Sequence, residues 1–105
     1  EMAIRHLERS LKMAPTDRTL RRHLAIDLGR IHKYDEALAV FKPLIDEKPD
    51  DNLARIGRIQ MLQERGTMAD ALPDTEALLQ LVPDDKVYQY YHQLAKGETP
   101  AFVPV

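Results

Sequence analysis

Two polar side chains with a spacing that suits metal binding stand at His23 and Asp27. Residues four apart lie on one face of a helix, so the imidazole and the carboxylate could ligate one ion side by side. No third ligand and no H-E-x-x-H pattern accompanies them. A surface pair with a weak attraction is the favoured interpretation, and no metal site is predicted. The four histidines of the chain are His6, His23, His32 and His92.

The common sequence patterns of catalysis are missing from the chain. There is no glycine-rich phosphate loop, no nucleophile elbow and no pair of carboxylates whose setting would raise a pKa. The absence of cysteine excludes disulfides, thiol catalysis and thiolate metal sites. We therefore expect a protein that is not an enzyme and needs no cofactor.

The charge balance argues against nucleic acid as a partner. A net charge of −2 gives no bulk attraction for a phosphate backbone. Arg18, Arg21, Arg22 and Arg30 form a basic cluster, for which a solvated helix face is favoured over a site for an acidic ligand. No apolar run approaches the ~20 residues that span a bilayer. The compartment is left open: the cytoplasm is slightly favoured, and a periplasmic or membrane-tethered domain is the alternative.

A constant period organises the chain, and it predicts the elements that position these side chains. Proline ends a helix, and an acidic residue two positions later would stabilise the N-terminus of the next helix through its dipole. Strong helix formers dominate the composition, which favours an all-helical fold. The repeated positions are the evenly spaced Pro15, Pro49 and Pro83, with Ala3, Ala37 and Ala71 upstream and Asp17, Asp51 and Asp85 downstream.

Apolar residues at three- and four-residue spacing predict one helix over residues 18–32 and a second over residues 34–48. Only a tight turn fits between these two helices, so they must be antiparallel neighbours. An alanine at the repeated position would let two helix axes approach closely, because its side chain is small. The unit is therefore a helix hairpin.

A 34-residue period with A-x3-F and a closing proline resembles the tetratricopeptide repeat family. The best unit covers residues 18–51, and Arg21 and Arg55 stand where the family usually has tryptophan. The resemblance implies an all-α, right-handed α-α superhelix of antiparallel helix hairpins. Residues expected in packing within and between the units are Ala3, Leu24, Ala25, Ala37, Phe41, Ala71, Pro15, Pro49 and Pro83.

The period divides the chain into a helical repeat domain over residues 1–97 and an extended tail over residues 98–105. The domain comprises a half unit at 1–17, full units at 18–51 and 52–85, and a terminal helix at 86–97. Pro43 falls inside a predicted helix, where it removes one backbone hydrogen bond and favours a kink, and Pro73 lies where another helix should begin or bend. Arg58 stands where leucine is expected.

The resemblance implies a concave face, lined largely by the first helix of each unit, that binds a peptide or protein segment. Packing between units is an equally good interpretation for the isoleucine and leucine positions. The predicted binding residues are Thr19, Arg22, Ile26, Arg30, Leu53, Ile56, Gln60, Gln63 and Tyr90.

A structural spacer or self-association segment of a larger protein is the alternative function. The first helix has no preceding partner, so its stripe of Ile4, Leu7 and Leu11 should be uncovered on one side. This predicts either further repeats upstream or self-association through that end. The apolar tail is expected to be a linker, with docking into its own or a neighbouring groove as the other interpretation.

Overall fold

The computed structural model describes residues 2–100 and, from Ile4 onward, their side chains. These residues form helices and turns, with no strand among them. The α-helices are α1 (Met2–Met13), α2 (Arg18–Arg30), α3 (Tyr34–Glu47), α4 (Asn52–Arg65), α5 (Leu72–Leu81) and α6 (Lys86–Ala95), and a short 3₁₀ helix (Met68–Ala71) precedes α5. The prediction of an all-α protein is confirmed.

Three aspartates, each one period apart, begin the even-numbered helices. The Asp17 carboxylate accepts a hydrogen bond from the Leu20 amide at 3.0 Å, and Asp51 accepts one from Ala54 at 3.1 Å. Asp85 repeats this arrangement at the start of α6. Each cap satisfies an amide that has no partner within the helix, and its charge complements the helix dipole.

The turn before each cap is also repeated. Arg55 Nε donates to the Pro49 carbonyl at 2.8 Å, and Gln89 Nε2, one period later, donates to the Pro83 carbonyl at the same distance. A side chain in the first turn of the helix thereby ties down the turn that precedes it. Arg21, the equivalent residue in the first full unit, donates to Glu47 instead.

Helices that follow one another along the chain are antiparallel. Arg18, at the start of α2, donates to the Leu44 carbonyl near the end of α3. In the last hairpin, Thr75 near the start of α5 lies 3.0 Å from Nδ1 of His92 near the end of α6. The connection between α2 and α3 is a turn at residues 31–33, in which His32 adopts a left-handed φ of 65°.

The core lies between the hairpins and is filled from α2, α3, α4 and α5. Phe41, Leu44, Ile59 and Leu78 are completely buried. Helix α3 continues through Pro43, whose ring is exposed, so the hydrogen bond that proline removes would have lain on the solvent side. Pro73 stands at the second position of α5, where a proline without an amide hydrogen is tolerated.

Candidate functional site: a groove on the α1, α2 and α4 surface

Helices α2 and α4 lie side by side and run in the same direction. A methyl group added to Gly29 would lie 2.9 Å from Met61, and one added to Gly57 would lie 3.1 Å from Phe41 of α3 and 3.6 Å from Ile26. Positions 29 and 61 and positions 26 and 57 differ by almost one repeat, which is the pattern of parallel neighbours. Because these glycines have no side chain, Met61 packs directly against α2 at Gly29, and Phe41 packs directly against α4 at Gly57.

A groove follows this glycine contact, and we call it the α2–α4 groove. Its volume is about 140 Å³. The floor is glycine and apolar, whereas Arg30, Gln60 and Glu64 are exposed at its sides. The residues that line the α2–α4 groove are Ile26, Gly29, Arg30, Gly57, Gln60, Met61 and Glu64.

A larger cleft of about 460 Å³ lies between α1 and α2, and we call it the α1–α2 cleft. Its lining residues are His6, Leu7, His23, Ile26, Asp27 and Arg30. Ile26 and Arg30 line both depressions, so the cleft and the groove form one surface across three helices.

The polar groups of this surface are mostly open to solvent. The Arg30 side chain is 74% exposed, and its Nη1 lies 3.3 Å from Oδ1 of Asp27, three residues earlier. His6 and His23 are exposed on facing helices. His23 and Asp27 line the same cleft, but no group of three or more metal-binding side chains that could hold an ion occurs among the described residues.

The structure brings together three of the nine predicted binding residues. Ile26, Arg30 and Gln60 line the α2–α4 groove. Of the other six, Arg22, Ile56 and Tyr90 are half-buried, Ile56 packing against the core and the Tyr90 ring lying 5.9 Å from that of Tyr91. The remaining residues, Thr19, Leu53 and Gln63, are exposed.

The residues predicted to pack fall into two groups. Ala25, Ala37, Phe41 and Ala71 are completely buried, and the half-buried Leu24 packs against them. Pro15, Pro49 and Pro83 are exposed in the turns that follow α1, α3 and α5. The side chain of Ala3 lies outside the described residues.

The arginines of the basic cluster have two different roles in the structure. Arg18 and Arg21 tie α2 to the end of α3: Arg18 pairs with Asp51 at 2.8 Å, and Arg21 makes two hydrogen bonds to Glu47 at 2.9 and 3.0 Å. Arg30 instead is exposed in the groove, and its ion pair with Asp27 stays within α2. The interpretation of a solvated face is too simple for Arg18 and Arg21, because both are held in ion pairs.

Two of these carboxyl groups titrate below their ordinary range. The hydrogen bond from Arg21 lowers the pKa of Glu47. Burial would raise the pKa of Asp51, but the hydrogen bonds from Arg18 and from the Ala54 amide outweigh it, so this pKa is also lowered. The network therefore stabilises the charged carboxylates.

A buried ionic cluster escaped the sequence analysis. Asp74 is completely buried; its two oxygens accept from Arg58 at 2.6 and 2.7 Å, and Oδ1 also accepts from Arg55 at 2.8 Å. Both arginine side chains are largely buried, at 12% and 19% exposure. The cluster joins α4 to α5 and lies away from the groove.

The sequence does indicate this ionic cluster when the two full units are compared. Arg58 stands one period after Leu24, and Asp74 stands one period after Val40. Leu24 and Val40 line one cleft in the first unit. When an apolar pair at facing positions is replaced by opposite charges, an internal ion pair is the expected result.

The apolar stripe of α1 is less exposed than the repeat predicted. Ile4 and Leu7 are buried, and Leu11 is half-buried. Helix α2 is the helix that packs against α1. The expectation of an uncovered stripe is therefore wrong for Ile4 and Leu7. Residues 98–100 have no regular secondary structure, and the rest of the predicted tail lies outside the described residues.

No helix within residues 2–100 combines the length and the apolar character needed to cross a membrane. Neither a protein-family model, nor a curated protein, nor a solved structure matches the chain.

Proposed function

We propose that the chain is a non-catalytic protein-interaction module of the tetratricopeptide type, and that it binds an extended peptide segment in the α2–α4 groove. Three features support this proposal: the constant period of the sequence, the aspartate caps that follow it, and the parallel packing of α2 and α4. In this proposal the hairpins stack into a right-handed superhelix, and the α2–α4 groove lies on its concave side.

The single observation that carries the proposal is the glycine floor of the groove. Met61 and Phe41 pack against Gly29 and Gly57, so no side chain projects from the floor at these positions, and Ile26 and Met61 supply the apolar contact for a ligand. At the sides, the Gln60 amide can both donate to and accept from a peptide backbone. An apolar floor with a few polar groups at its sides suits a short peptide with an apolar anchor.

A library experiment tests this function. We would pan the full chain against a random octapeptide library, measure the affinity of the selected peptides by calorimetry, and repeat the measurement with Arg30→Ala and Gln60→Ala. Each substitution should weaken binding by about three- to tenfold, since each removes a polar contact worth roughly 1 kcal/mol. Both side chains are exposed, so folding should be unaffected.

Matched controls are available on the same elements. Gln63→Ala removes an exposed glutamine of α4 that does not line the groove, and Arg9→Ala removes an exposed arginine of α1 that lines neither depression. Peptides that lose the same affinity in the controls as in the groove variants would contradict the proposal. Failure to select any peptide would contradict it as well.

Self-association is the second candidate function, and the surface that supports it lies at the end of α5 and the turn into α6 rather than on α1. Leu81 is 56% exposed at the end of α5, and Val82 and Val87 are each 42% exposed at the turn into α6. The first-unit equivalents of Leu81 and Val82 are the charged residues Glu47 and Lys48. Sedimentation equilibrium tests this function: a monomer mass that persists at high protein concentration would exclude self-association.

A further inference from the structure

The α1–α2 cleft contains an unusual set of titratable groups for a small apolar depression. His6 comes from α1, whereas His23, Asp27 and Arg30 come from α2, and the walls between them are Leu7 and Ile26. At about 460 Å³ the cleft has the size of a small-ligand site. It can therefore admit an acidic side chain together with its methylene groups.

The charge of the cleft depends on its histidines. With both imidazoles neutral, Arg30 and Asp27 balance each other, and with both protonated the described lining residues carry a charge of +2. Histidine side chains change charge between about pH 5 and 8. Glu64 of α4, which lines the adjoining groove, adds a negative charge to this surface. The charged residues Arg5, Glu8, Arg9 and Lys12 of α1 line a separate surface.

We propose that the α1–α2 cleft binds an aspartate or glutamate side chain of the same peptide whose apolar residue occupies the α2–α4 groove, and that protonation of His6 and His23 strengthens this contact. The inference rests on the proposed function, because the peptide must lie along the groove for its acidic residue to reach the cleft. With both histidines protonated the described lining is cationic and therefore complementary to a carboxylate, and Ile26 and Arg30 connect the two depressions.

Calorimetry with paired peptides tests the inference. The probes are a selected octapeptide with one acidic residue and its isosteric Asn or Gln version, each measured at pH 5.5 and pH 7.5. The peptide carboxylate stays ionised at both values, because its ordinary pKa is about 4. The acidic peptide should bind about three- to tenfold more tightly at pH 5.5, since two surface charge pairs are added. The amide version should show no such gain.

Three variants locate the effect. The double variant His6→Gln/His23→Gln should abolish the gain in affinity at low pH, while both exposed side chains leave folding intact. The control His32→Asn removes an exposed histidine outside the cleft, at a left-handed φ that asparagine tolerates, and should keep the gain. Asp27→Asn should tighten binding of the acidic peptide at pH 7.5, because it removes the carboxylate found among the described lining residues of the cleft.

The outcomes separate this inference from the proposed function. Peptides that bind in the groove with the same pH dependence in acid and amide forms would overturn the inference and leave the groove function standing. Panning at pH 5.5 that enriches no acidic peptides would also overturn it. The absence of peptide binding at both pH values would overturn the proposed function itself. Thermal unfolding at each pH verifies that the variants remain folded.

Discussion

At the scale of single residues, the repeat is visible in an aspartate that caps a helix once in each period. Asp17, Asp51 and Asp85 each cap a helix, but Asp51 has a second role because Arg18 reaches it from α2. This one carboxylate therefore begins α4 and also joins α2 and α3 to it. Asp17 has the same cap geometry without the arginine.

This difference predicts unequal losses of stability from the same substitution. Asp17→Ala removes one cap and should lower the free energy of unfolding by about 1 kcal/mol. Asp51→Ala should cost roughly 2–3 kcal/mol, because it also leaves the half-buried Arg18 without its closest carboxylate. Urea unfolding of both variants measures the difference, and equal losses would contradict the second role of Asp51.

Asp74 is the residue whose substitution should be most damaging. Asp74→Asn removes the charge that faces two largely buried guanidinium groups, and should cost about 3–5 kcal/mol. The double variant Arg58→Leu/Asp74→Val copies the Leu24 and Val40 pair of the first unit and should recover part of this loss, because it removes one of the two unpaired guanidinium groups while Arg55 still loses its carboxylate. Urea unfolding tests both, and a double variant as unstable as Asp74→Asn would refute the equivalence of the two pairs.

At the scale of elements, the ends of helices were predictable and the burial of polar residues was not. The prolines and aspartates mark the boundaries of α2, α4 and α6 because caps act through neighbours in sequence. The 3₁₀ helix before α5 and the burial of Asp74 depend on contacts with α4, which local patterns do not encode. Of the predicted binding face, only the residues beside Gly29 and Gly57 share a groove, because the glycines leave room there for Met61 and Phe41 to pack against the helices.

The contact between α2 and α3 should make stability depend on pH. The lowered pKa values of Glu47 and Asp51 mean that these carboxylates stabilise the fold above their ordinary range. Their contribution is therefore lost as the pH falls below about 4 and through the folded pKa values. The variant Arg21→Gln removes the main cause of the shift at Glu47 and should be less stable than the unchanged protein at pH 7.

This gap between Arg21→Gln and the unchanged protein should close in acid, because a protonated Glu47 no longer attracts Arg21. Arg9→Gln, on an exposed position of α1, is the control, and its smaller gap should not depend on pH. Urea unfolding at pH 7 and pH 2 gives both gaps. An Arg21→Gln gap of the same size at both pH values would contradict the assigned pKa shift.

At the scale of the whole molecule, the parallel packing of α2 and α4 from successive hairpins creates the surface that contains the α2–α4 groove. The described residues extend 44 × 25 × 23 Å, so they form an elongated body. The helices follow one another along its long axis. The constant period of the sequence predicted stacked hairpins, while the right-handed superhelix remains a prediction. The sequence could not place the groove, because its position depends on which side chains are absent between two helices distant in sequence.

The most direct test of the account is amide chemical-shift mapping by NMR of the full chain, titrated with the octapeptide that binds most tightly. We expect the largest shifts at Ile26, Gly29, Gly57 and Gln60, along both sides of the α2–α4 groove. Saturable shifts confined to Leu81, Val82 and the start of α6, with these four amides unchanged, would contradict it.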